Sequence, residues 1–463
     1  MDFFELIFSL TIPPLTYSWS PDRGRIIPGM LVTAEVKKSI QHGIVLRKAA
    51  HHPAGPVKEI LDIVLEKPIM NHSLLSLLQW MAGYYLVPEG SVVKHLFPLE
   101  YFLKPKAGRS RERKKDTNAP HLFDQDLPDI APETLTPVRM SLARNEYKTY
   151  LLHTPTFLHE ISSALELMRE TRNCIVLVPE TTHIEALSPL LRKYVGQRLA
   201  VIHGKLSKAE RSGAVQRILC GEADIVLGTR IAVSAPLQSV SLMVVLQEQN
   251  RSYKNREGIR YHARDVAVMR GYLEKATVLL SSATPSFESF YNTVKGKYTL
   301  LEFPERIFRP RVEVINMKTA KKVTPYLSQR IVHSAASCIK NKGDVLFFIN
   351  RKGYSMIQCD DCNTIETCPE CRLPLIFHKT TLTLNCHYCA YSTKATERCK
   401  KCNGTRLEMV GAGTQRIASD IETFLQRTPE RFDRDRIREH PHLKKSVHPL
   451  QGESITVGTK AVT

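Results

Sequence analysis

Four C-x-x-C pairs within one short segment constrain this chain more than any other feature. Eight of its eleven cysteines stand in these pairs, which are Cys359/Cys362, Cys368/Cys371, Cys386/Cys389 and Cys399/Cys402. Two sulfurs of such a turn can converge on one tetrahedral zinc ion at about 2.3 Å, and two turns complete a four-cysteine site with no open position for a substrate. The segment therefore predicts two zinc ions per chain, both structural.

The four turns can be combined in two sensible ways. In the nested pairing, the outer turns Cys359/Cys362 and Cys399/Cys402 hold one ion around an inner site, whereas in the sequential pairing neighbouring turns share an ion. The nested pairing is favoured because only residues 363–367 separate the first turn from the second, which leaves little chain for a separate ribbon. The alternatives to zinc are a disulfide framework or a redox motif. Disulfides need an oxidising compartment, which nothing in the sequence indicates, and redox C-x-x-C motifs occur singly.

Length and composition are those of an ordinary globular protein with about three domains. Of the 463 residues, 43% are hydrophobic and 24% charged, and no apolar run approaches the length of a membrane span, which is roughly 18 residues. The first five residues, Met1 to Glu5, lack the basic start of a signal peptide. We therefore expect a cytoplasmic protein without a membrane partner.

The charge balance favours a polyanionic partner. Lys plus Arg number 65 against 46 for Asp plus Glu, a formal net charge of +19. Eight thiolates on two zinc ions would remove about four of these charges. The remaining excess supports a nucleic-acid partner, although ribosomal contact or simple solubility would give the same composition.

Residues 1–104 predict a small, strand-rich domain followed by a helix. Short β-type runs are punctuated by Pro and Gly, and the runs are Phe8–Ile12, Leu31–Val36 and Gly43–Leu46. A small barrel or sandwich fits this pattern. From Asn71 the apolar residues recur at helical spacing, and we expect the aromatic side chains at the end of this pattern to be core. Residues 105–140, with the basic run Lys104–Lys115 at their start, predict a linker.

From residue 141 onwards the pattern predicts two α/β lobes with parallel sheets. In the first lobe, 141–301, helical segments alternate with continuous apolar runs: Cys174–Val178, Leu199–Ile202, Asp224–Leu227, Leu242–Leu246 and Thr277–Leu280. The second lobe, 302–463, carries the cysteine segment as an insert at 356–405. Its predicted strands and helix are Val312–Ile315, Asp344–Ile349, Gln415–Leu425 and Ser454–Val457. The fold class is therefore α/β, with doubly wound lobes, a zinc insert and a β-rich N-terminal domain.

Polar signatures follow the strands of the first lobe, where ligands of open parallel sheets bind. They are Pro179-Glu180, His203-Gly204, Gly228-Thr229-Arg230, Gln247-Glu248-Gln249-Asn250 and Ser281-Ser282-Ala283-Thr284-Pro285. Together they resemble superfamily 2 helicases. Tyr253-Lys254 and Arg260 to Asp265 narrow the resemblance to the PriA family of replication-restart helicases, and so do Asn350 to Tyr354, the cysteine pairs and Gly411 to Thr414.

The resemblance implies a function at DNA. It implies that residues 1–104 recognise the 3′ end of a strand at a stalled fork, with Leu15, Thr16 and Tyr17 where the family has its end-binding pocket. It also implies the nested zinc pairing, ATP and Mg²⁺ as cofactors, and primosome proteins and single-strand-binding protein as partners. The cations that we place along the crevice and DNA path are Arg230, Lys254, Arg260, Arg264 and Arg351. The alternative is that each pairs locally with an acid such as Glu248, Glu257 or Asp265.

The departures from the family pattern concern ATP. No glycine-rich phosphate loop is present, since the chain reads Leu151 to His159 at that place without Gly or Lys. Gln247 replaces the carboxylate that would hold magnesium, and only Glu248 keeps the position of the base that orients the attacking water. The sequence stops after Gly458 to Thr463, so we also expect the following arginine motif to be missing. An arginine finger alone contributes roughly 10³- to 10⁵-fold in rate.

We therefore predict a PriA-like fork-binding protein for primosome assembly that does not hydrolyse ATP. The first alternative is an active ATP-dependent 3′-5′ helicase whose nucleotide site is built differently. The second alternative is a non-functional truncated fragment.

Overall fold

The structure is a computed structural model that describes residues 1–51, 55–103, 127–303, 311–324, 326–349, 356–378, 381–386, 388–410, 414–432 and 453–458. The chain divides into two compact units, residues 1–309 and 310–463. Arg351, the run Lys104–Lys115, residues 411–413 and the segment after Gly458 lie outside the described residues.

Unit 1 begins with a five-stranded antiparallel sheet in the order β2-β1-β4-β3-β5. Its strands are β1 Asp2–Phe8, β2 Leu15–Trp19, β3 Leu31–Val36, β4 Ser39–Lys48 and β5 Ile60–Ile63. The sheet curls until Ser18 N–H donates to the carbonyl of Lys58, just before β5, at 3.0 Å. The predicted β-rich domain is therefore a small barrel.

The barrel is followed by two helices, α1 His72–Tyr84 and α2 Glu89–Leu96. Asn71 caps α1, because its side chain accepts the N–H of Leu74 at 2.8 Å. Helix α2 passes so close to the barrel that a Cβ on Gly90 would meet the carbonyl oxygen of Leu10 at 2.0 Å. Only glycine fits at this crossing.

The α/β part of unit 1 is one seven-stranded, wholly parallel sheet in the order β12-β6-β11-β10-β7-β9-β8. Its strands are β6 Lys148–His153, β7 Cys174–Leu177, β8 Leu199–Ile202, β9 Ile225–Gly228, β10 Leu242–Val245, β11 Thr277–Ser282 and β12 Thr299–Glu302. Its helices are α3 Pro132–Ala143, α4 Phe157–Glu170, α5 Thr181–Val195, α6 Lys208–Leu219, α7 Ala263–Glu274 and α8 Phe287–Val294. The fold class of the first lobe is therefore confirmed.

The barrel part and the α/β part share one hydrophobic core. The largest buried cluster runs from Ile7 through the leucines of α1 to Leu280 of β11. Polar contacts join the same parts, since Ser234 Oγ donates to the carbonyl of Leu96 at 2.7 Å and Gln216 Nε2 to that of Phe102 at 2.7 Å. The N-terminal domain is thus fixed on the first lobe.

Unit 2 has a parallel three-stranded sheet with the cysteine segment inserted after its first strand. The sheet has the order β13-β20-β19 and packs against two helices. Within the insert, β14 pairs with β18, and β15, β16 and β17 form a small antiparallel sheet. The elements are α9 Gln329–Lys340, β13 Val345–Phe348, β14 Met356–Cys359, β15 Ile376–His378, β16 Thr383–Asn385, β17 Ser392–Lys394, β18 Leu407–Val410, α10 Thr414–Leu425, β19 Glu430–Phe432 and β20 Ile455–Gly458.

Three local predictions were wrong. The first strand is Asp2–Phe8 instead of Phe8–Ile12, because the chain turns after Phe8 before Pro13-Pro14. Residues 312–315 are not a strand, since Val312 and Val314 are 80% and 92% exposed and pair with no strand among the described residues. The predicted linker 105–140 includes most of α3, whose Leu135 and Val138 are fully buried.

Candidate functional site

The eight paired cysteines form two groups, and the grouping is nested. Cys359, Cys362, Cys399 and Cys402 make the outer group, and Cys368, Cys371, Cys386 and Cys389 make the inner one. None of these cysteines is in a disulfide. The sulfurs Cys359/Cys402 and Cys362/Cys399 are 3.6 Å apart, and Cys368/Cys389 are 3.5 Å apart. Four ligands at about 2.3 Å around a tetrahedral zinc ion would be about 3.8 Å apart, so both groups fit the ion.

The four turns share one backbone geometry. In each, the N–H of the first cysteine donates to the carbonyl five residues later, at 2.7–2.9 Å: Cys359 to Thr364, Cys368 to Leu373, Cys386 to Tyr391 and Cys399 to Gly404. In each, the residue after the second cysteine has a left-handed backbone, with φ between 55° and 63°: Asn363, Arg372, Ala390 and Asn403. This repeated turn directs both sulfurs of a pair to one side.

Little apolar surface supports the cysteine segment. Among the described residues, its buried cluster contains only Ile357, Leu375, Phe377 and Leu384 beside the cysteines Cys368 and Cys386. Segments of this size seldom bury enough area to fold alone. The two four-cysteine groups therefore have the donor set, the geometry and the stabilising role that structural zinc would need.

The second candidate site is the crevice at the carboxyl ends of strands β6, β10 and β11. Glu248 follows β10 and is 0% exposed. Its carboxylate accepts from the N–H of Ser286 at 2.6 Å, from the hydroxyls of Ser286 and Ser289 at 2.9 and 2.8 Å, and from Arg264 Nη1 at 3.0 Å. Glu248 is therefore held by four donors of its own chain.

Arg264 lies in this crevice rather than on an open surface. It is 8% exposed, and besides Glu248 its Nε donates to Asp265 at 3.0 Å. Burial lowers the pKa of its guanidinium, but the carboxylates of Asp265 and Glu248 outweigh burial and the pKa is raised. In this structure Arg264 therefore forms local ion pairs with Glu248 and Asp265, which is the alternative that the sequence analysis left open.

Sequence reasoning missed a second buried carboxyl, that of Glu160 on α4. Its Oε2 accepts from the N–H of Gln247 at 2.7 Å and from Ser281 Oγ at 2.8 Å, and the N–H of Ala283 donates to the same group. Burial raises the pKa of Glu160 to about 7 although these donors lower it. Gln247 itself has a left-handed backbone, with φ 48°. The only signal in the sequence is one acid inside an apolar helical pattern.

Residues 251–262, which we call the basic arm, connect the crevice to α7. Tyr253 and Tyr261 anchor the arm, being 0% and 2% exposed, and Tyr253 Oη donates to the carbonyls of Leu177 and Leu246. The cations of the arm are exposed and form no ion pair among the described residues, namely Arg251, Lys254, Arg256 and Arg260. The arm thus presents four cations against one acid, Glu257.

The other predicted DNA residues have different surroundings. Tyr17 is 3% exposed, packs its ring on Phe8 at 5.7 Å and donates its hydroxyl to the carbonyl of Glu35. Arg230 is half-buried below the arm and donates to the carbonyl of Ser252 at 3.5 Å. Arg351 lies outside the described residues. The DNA contacts of these residues stay predictions.

No helix among the described residues has the length and apolar character to cross a membrane.

Two family models match the chain. That of the 3′ DNA-binding domain (3′BD) of PriA matches residues 8–98, and that of the Cys-rich region (CRR) domain of the PriA DNA helicase matches residues 368–394. The first begins at the end of β1 and covers the rest of the barrel with α1 and α2, and the second covers the inner cysteine group.

Curated relatives are similar over most of the chain. The replication restart protein PriA of Rickettsia conorii is 27% identical over 454 residues, which cover 94% of this chain and 68% of the relative. That of Treponema pallidum is 27% identical over 483 residues, covering 99% and 71%. That of Bacillus subtilis is 30% identical over 312 residues, covering 65% and 38%.

Solved helicase structures are only weakly similar. The Pyrococcus furiosus Hef helicase domain is 14% identical with a TM-score of 0.29, over 44% of this chain and 52% of that chain. The C-terminal domain of the DEAD-box protein Dbp5 is 14% identical with a TM-score of 0.27, over 34% of this chain and 91% of that chain. The comparison therefore rests on the sequence matches and the cysteine groups: over 94% and 99% of its length the chain is similar to the replication restart proteins PriA of Rickettsia conorii and Treponema pallidum.

Proposed function

We propose that this chain binds branched DNA for replication restart and does not hydrolyse ATP. Three features support the DNA part: the match to a 3′ DNA-binding domain, the net charge of +19 and the four unpaired cations of the basic arm. The names of the relatives supply replication restart as the context. Stalled forks and 3′ ends are the proposed ligands, and primosome proteins and single-strand-binding protein are the proposed partners, by family resemblance.

The state of Glu248 carries the ATP part of the proposal. A base that orients an attacking water needs a free lone pair directed into the site. Here four internal donors occupy the carboxylate, and Arg264 pairs with it in the protein interior. To act on water, Glu248 would first have to leave this buried ion pair, which opposes hydrolysis.

The connection before α4 supports the same proposal. Only Thr154, Pro155 and Thr156 join β6 to α4, and Pro155 has no N–H to offer. A phosphate loop cradles phosphates with several backbone N–H groups, a Lys and a hydroxyl on magnesium. The connection offers no such set of groups. In addition, the neutral amide of Gln247 is a poor ligand for magnesium.

We further propose that each four-cysteine group holds one zinc ion. When bound, the ions supply folding free energy to a segment with little core of its own, and they leave no ligand position for catalysis. The cysteines of the repeated turns would hold them in a fixed geometry.

Two measurements on the purified chain test the proposal. ATP hydrolysis with and without forked DNA should equal the background, and fluorescence anisotropy should report binding of a labelled fork at low salt. Binding should weaken steeply with salt, because phosphate contacts release counterions. Forks with a free and a blocked 3′ end should differ in affinity if residues 1–104 recognise that end. Hydrolysis that Glu248→Gln abolishes would refute the ATP part, and affinity unchanged by salt would refute the DNA part.

An active helicase is the second candidate, and two observations at the start of α4 favour it. Among the residues that the structure describes, Thr154 Oγ1 is buried without a hydrogen-bond partner and α4 begins without a side-chain cap, so donors for an anion exist there. A ligand at about a hundred times its dissociation constant adds about 2.7 kcal/mol to stability. A rise of the melting temperature by several degrees at millimolar Mg-ATP would favour this candidate, whereas an unchanged melting temperature supports our proposal.

A further inference from the structure

Three aromatic side chains form a cluster at the C-terminal end of α1. The rings of Trp80 and Tyr84 are stacked, with centroids 5.0 Å apart and planes at 23°. Tyr85 meets both rings edge-on, at 5.0 Å from Tyr84 and 6.2 Å from Trp80. The fully buried side of α1 consists of other residues, such as Leu77, Leu78 and Met81, all 0% exposed.

The outer ring of this cluster, that of Tyr84, faces solvent. Tyr84 is 64% exposed, and its hydroxyl has no hydrogen bond among the described residues. Trp80 is half-buried. Trp80 and Tyr85 pack partly against the core, but Tyr84 does not, so the packing of the domain does not account for the exposed ring of Tyr84.

The cluster borders the basic arm. The backbone N–H of His262, the last residue of the arm, donates to Tyr85 Oη at 3.3 Å, and His262 bridges to Lys254. The middle of the arm lies on α2, since a Cβ on Gly258 would meet His95 at 2.1 Å. Open rings and unpaired cations therefore belong to one surface of unit 1.

We infer that Trp80 and Tyr84 are a stacking surface for the bases of single-stranded DNA whose phosphates lie on the basic arm. This inference rests on the proposed DNA binding and locates a site for single-stranded DNA on unit 1. Bases stack on exposed rings without regard to sequence, and cations follow the backbone. A protein partner that covered the rings would have to tolerate four nearby cations, whereas nucleic acid provides aromatic faces and negative charge together.

Variants of Tyr84 test the stacking. With a labelled oligo(dT), Tyr84→Ala should weaken binding roughly fivefold to a hundredfold, since that is the effect of losing one stacked base. Tyr84→Phe should bind like the wild type, because the ring alone is needed. Tyr272→Ala is the matched control: Tyr272 is 59% exposed and makes one ring contact, but it lies at the far end of α7. The slope of affinity against salt should stay unchanged in Tyr84→Ala, whereas Lys254→Gln and Arg260→Gln should each reduce it.

Tryptophan fluorescence gives a readout that does not depend on how Tyr84→Ala folds. The chain has two tryptophans, and Trp19 is 4% exposed inside the barrel. Oligo(dT) should therefore quench the wild-type emission through Trp80, and Trp80→Phe should lose this quenching. Wild type that binds DNA without quenching, or Tyr84→Ala that binds as tightly as wild type, would overturn the inference and leave the proposed function standing. Wild type that does not bind oligo(dT) or forks at low salt would overturn both.

Discussion

Replacing Glu160 by Gln should change how the stability of unit 1 depends on pH. The carboxyl of Glu160 is almost completely buried, and burial raises its pKa from 4.5 to about 7. In the unfolded chain it returns to its ordinary value. Because the folded state holds the proton more tightly, the contribution of Glu160 is fully present below about pH 4.5 and is lost as the pH rises through about 7.

The size of this effect follows from the two pKa values. A tenfold change in an equilibrium is worth 1.36 kcal/mol, so the difference between 4.5 and about 7 amounts to about 3 kcal/mol. The Gln side chain has the same size and no titration, and its carbonyl can accept from Gln247 N–H and Ser281 Oγ, which both donate to the one oxygen Oε2. The third donor, Ala283 N–H, loses an acceptor at every pH. Only the change with pH is therefore diagnostic.

The assay is urea unfolding of wild type and Glu160→Gln at fixed ionic strength between pH 5 and 8. The free energy of unfolding of the variant, relative to wild type, should increase by about 2.5 kcal/mol from pH 5 to pH 8, because the unfolded carboxyl is already mostly ionised at pH 5. Glu185→Gln, an exposed acid of α5, is the control and should follow wild type. A difference between Glu160→Gln and wild type that stays constant over this range would refute the reasoning.

Three further predictions concern the cysteine groups and one buried ion pair. Cys359→Ser and Cys368→Ser should each release one zinc ion by elemental analysis, whereas Cys220→Ser should release none, since Cys220 is exposed and outside both groups. Ala390→Gly should raise the chelator concentration needed to remove the inner ion, because glycine adopts φ 63° without the penalty of about 1 kcal/mol. Arg270→Ala should lower the free energy of unfolding by about 3–5 kcal/mol in urea, because it leaves the carboxylate of Glu274, at 1% exposure, without the cation that pairs with it.

The parallel sheet of unit 1 could be read from the sequence because its strands are buried on both faces. A continuous apolar run such as Leu199–Ile202 coincides with β8. The barrel was harder, since β1 reads Asp-Phe-Phe-Glu-Leu-Ile-Phe and only part of it looks like a strand. In residues 312–315 Val alternates with other residues, as in a strand. A strand also needs a neighbouring strand to pair with, and a local sequence pattern does not show whether one is present.

The cysteine groups could be predicted because each ligand pair is local in sequence. Spacing alone specifies the turn, and only the combination of turns needs the structure. The left-handed backbone after each pair was predictable at Asn363 and Asn403, but not at Arg372 and Ala390, which rarely adopt it. The buried site of Glu160 could not be predicted from the sequence, because its hydrogen-bond donors come from segments about ninety and one hundred and twenty residues away.

The crevice and the basic arm together lead to a last prediction, that Mg-ATP leaves DNA affinity unchanged. In loops at the carboxyl ends of a parallel sheet, backbone N–H groups usually donate to a bound ligand. Here the carboxylates of Glu160 and Glu248 accept from the N–H groups of Gln247 and Ser286 in the absence of a ligand. The basic arm begins at this crevice, and the hydroxyl of Tyr253 anchors it to the ends of β7 and β10. A ligand shifts a conformational equilibrium only when it binds one of the two conformations more tightly than the other. If no nucleotide rearranges these contacts, ATP therefore has no effect on the cations of the arm.

Anisotropy titrations of a labelled fork with and without millimolar Mg-ATP, at constant ionic strength, should therefore superimpose. A shift of the midpoint by more than a few fold would mean that the crevice opens to nucleotide, and Glu248 would then have to exchange its internal donors for the ligand.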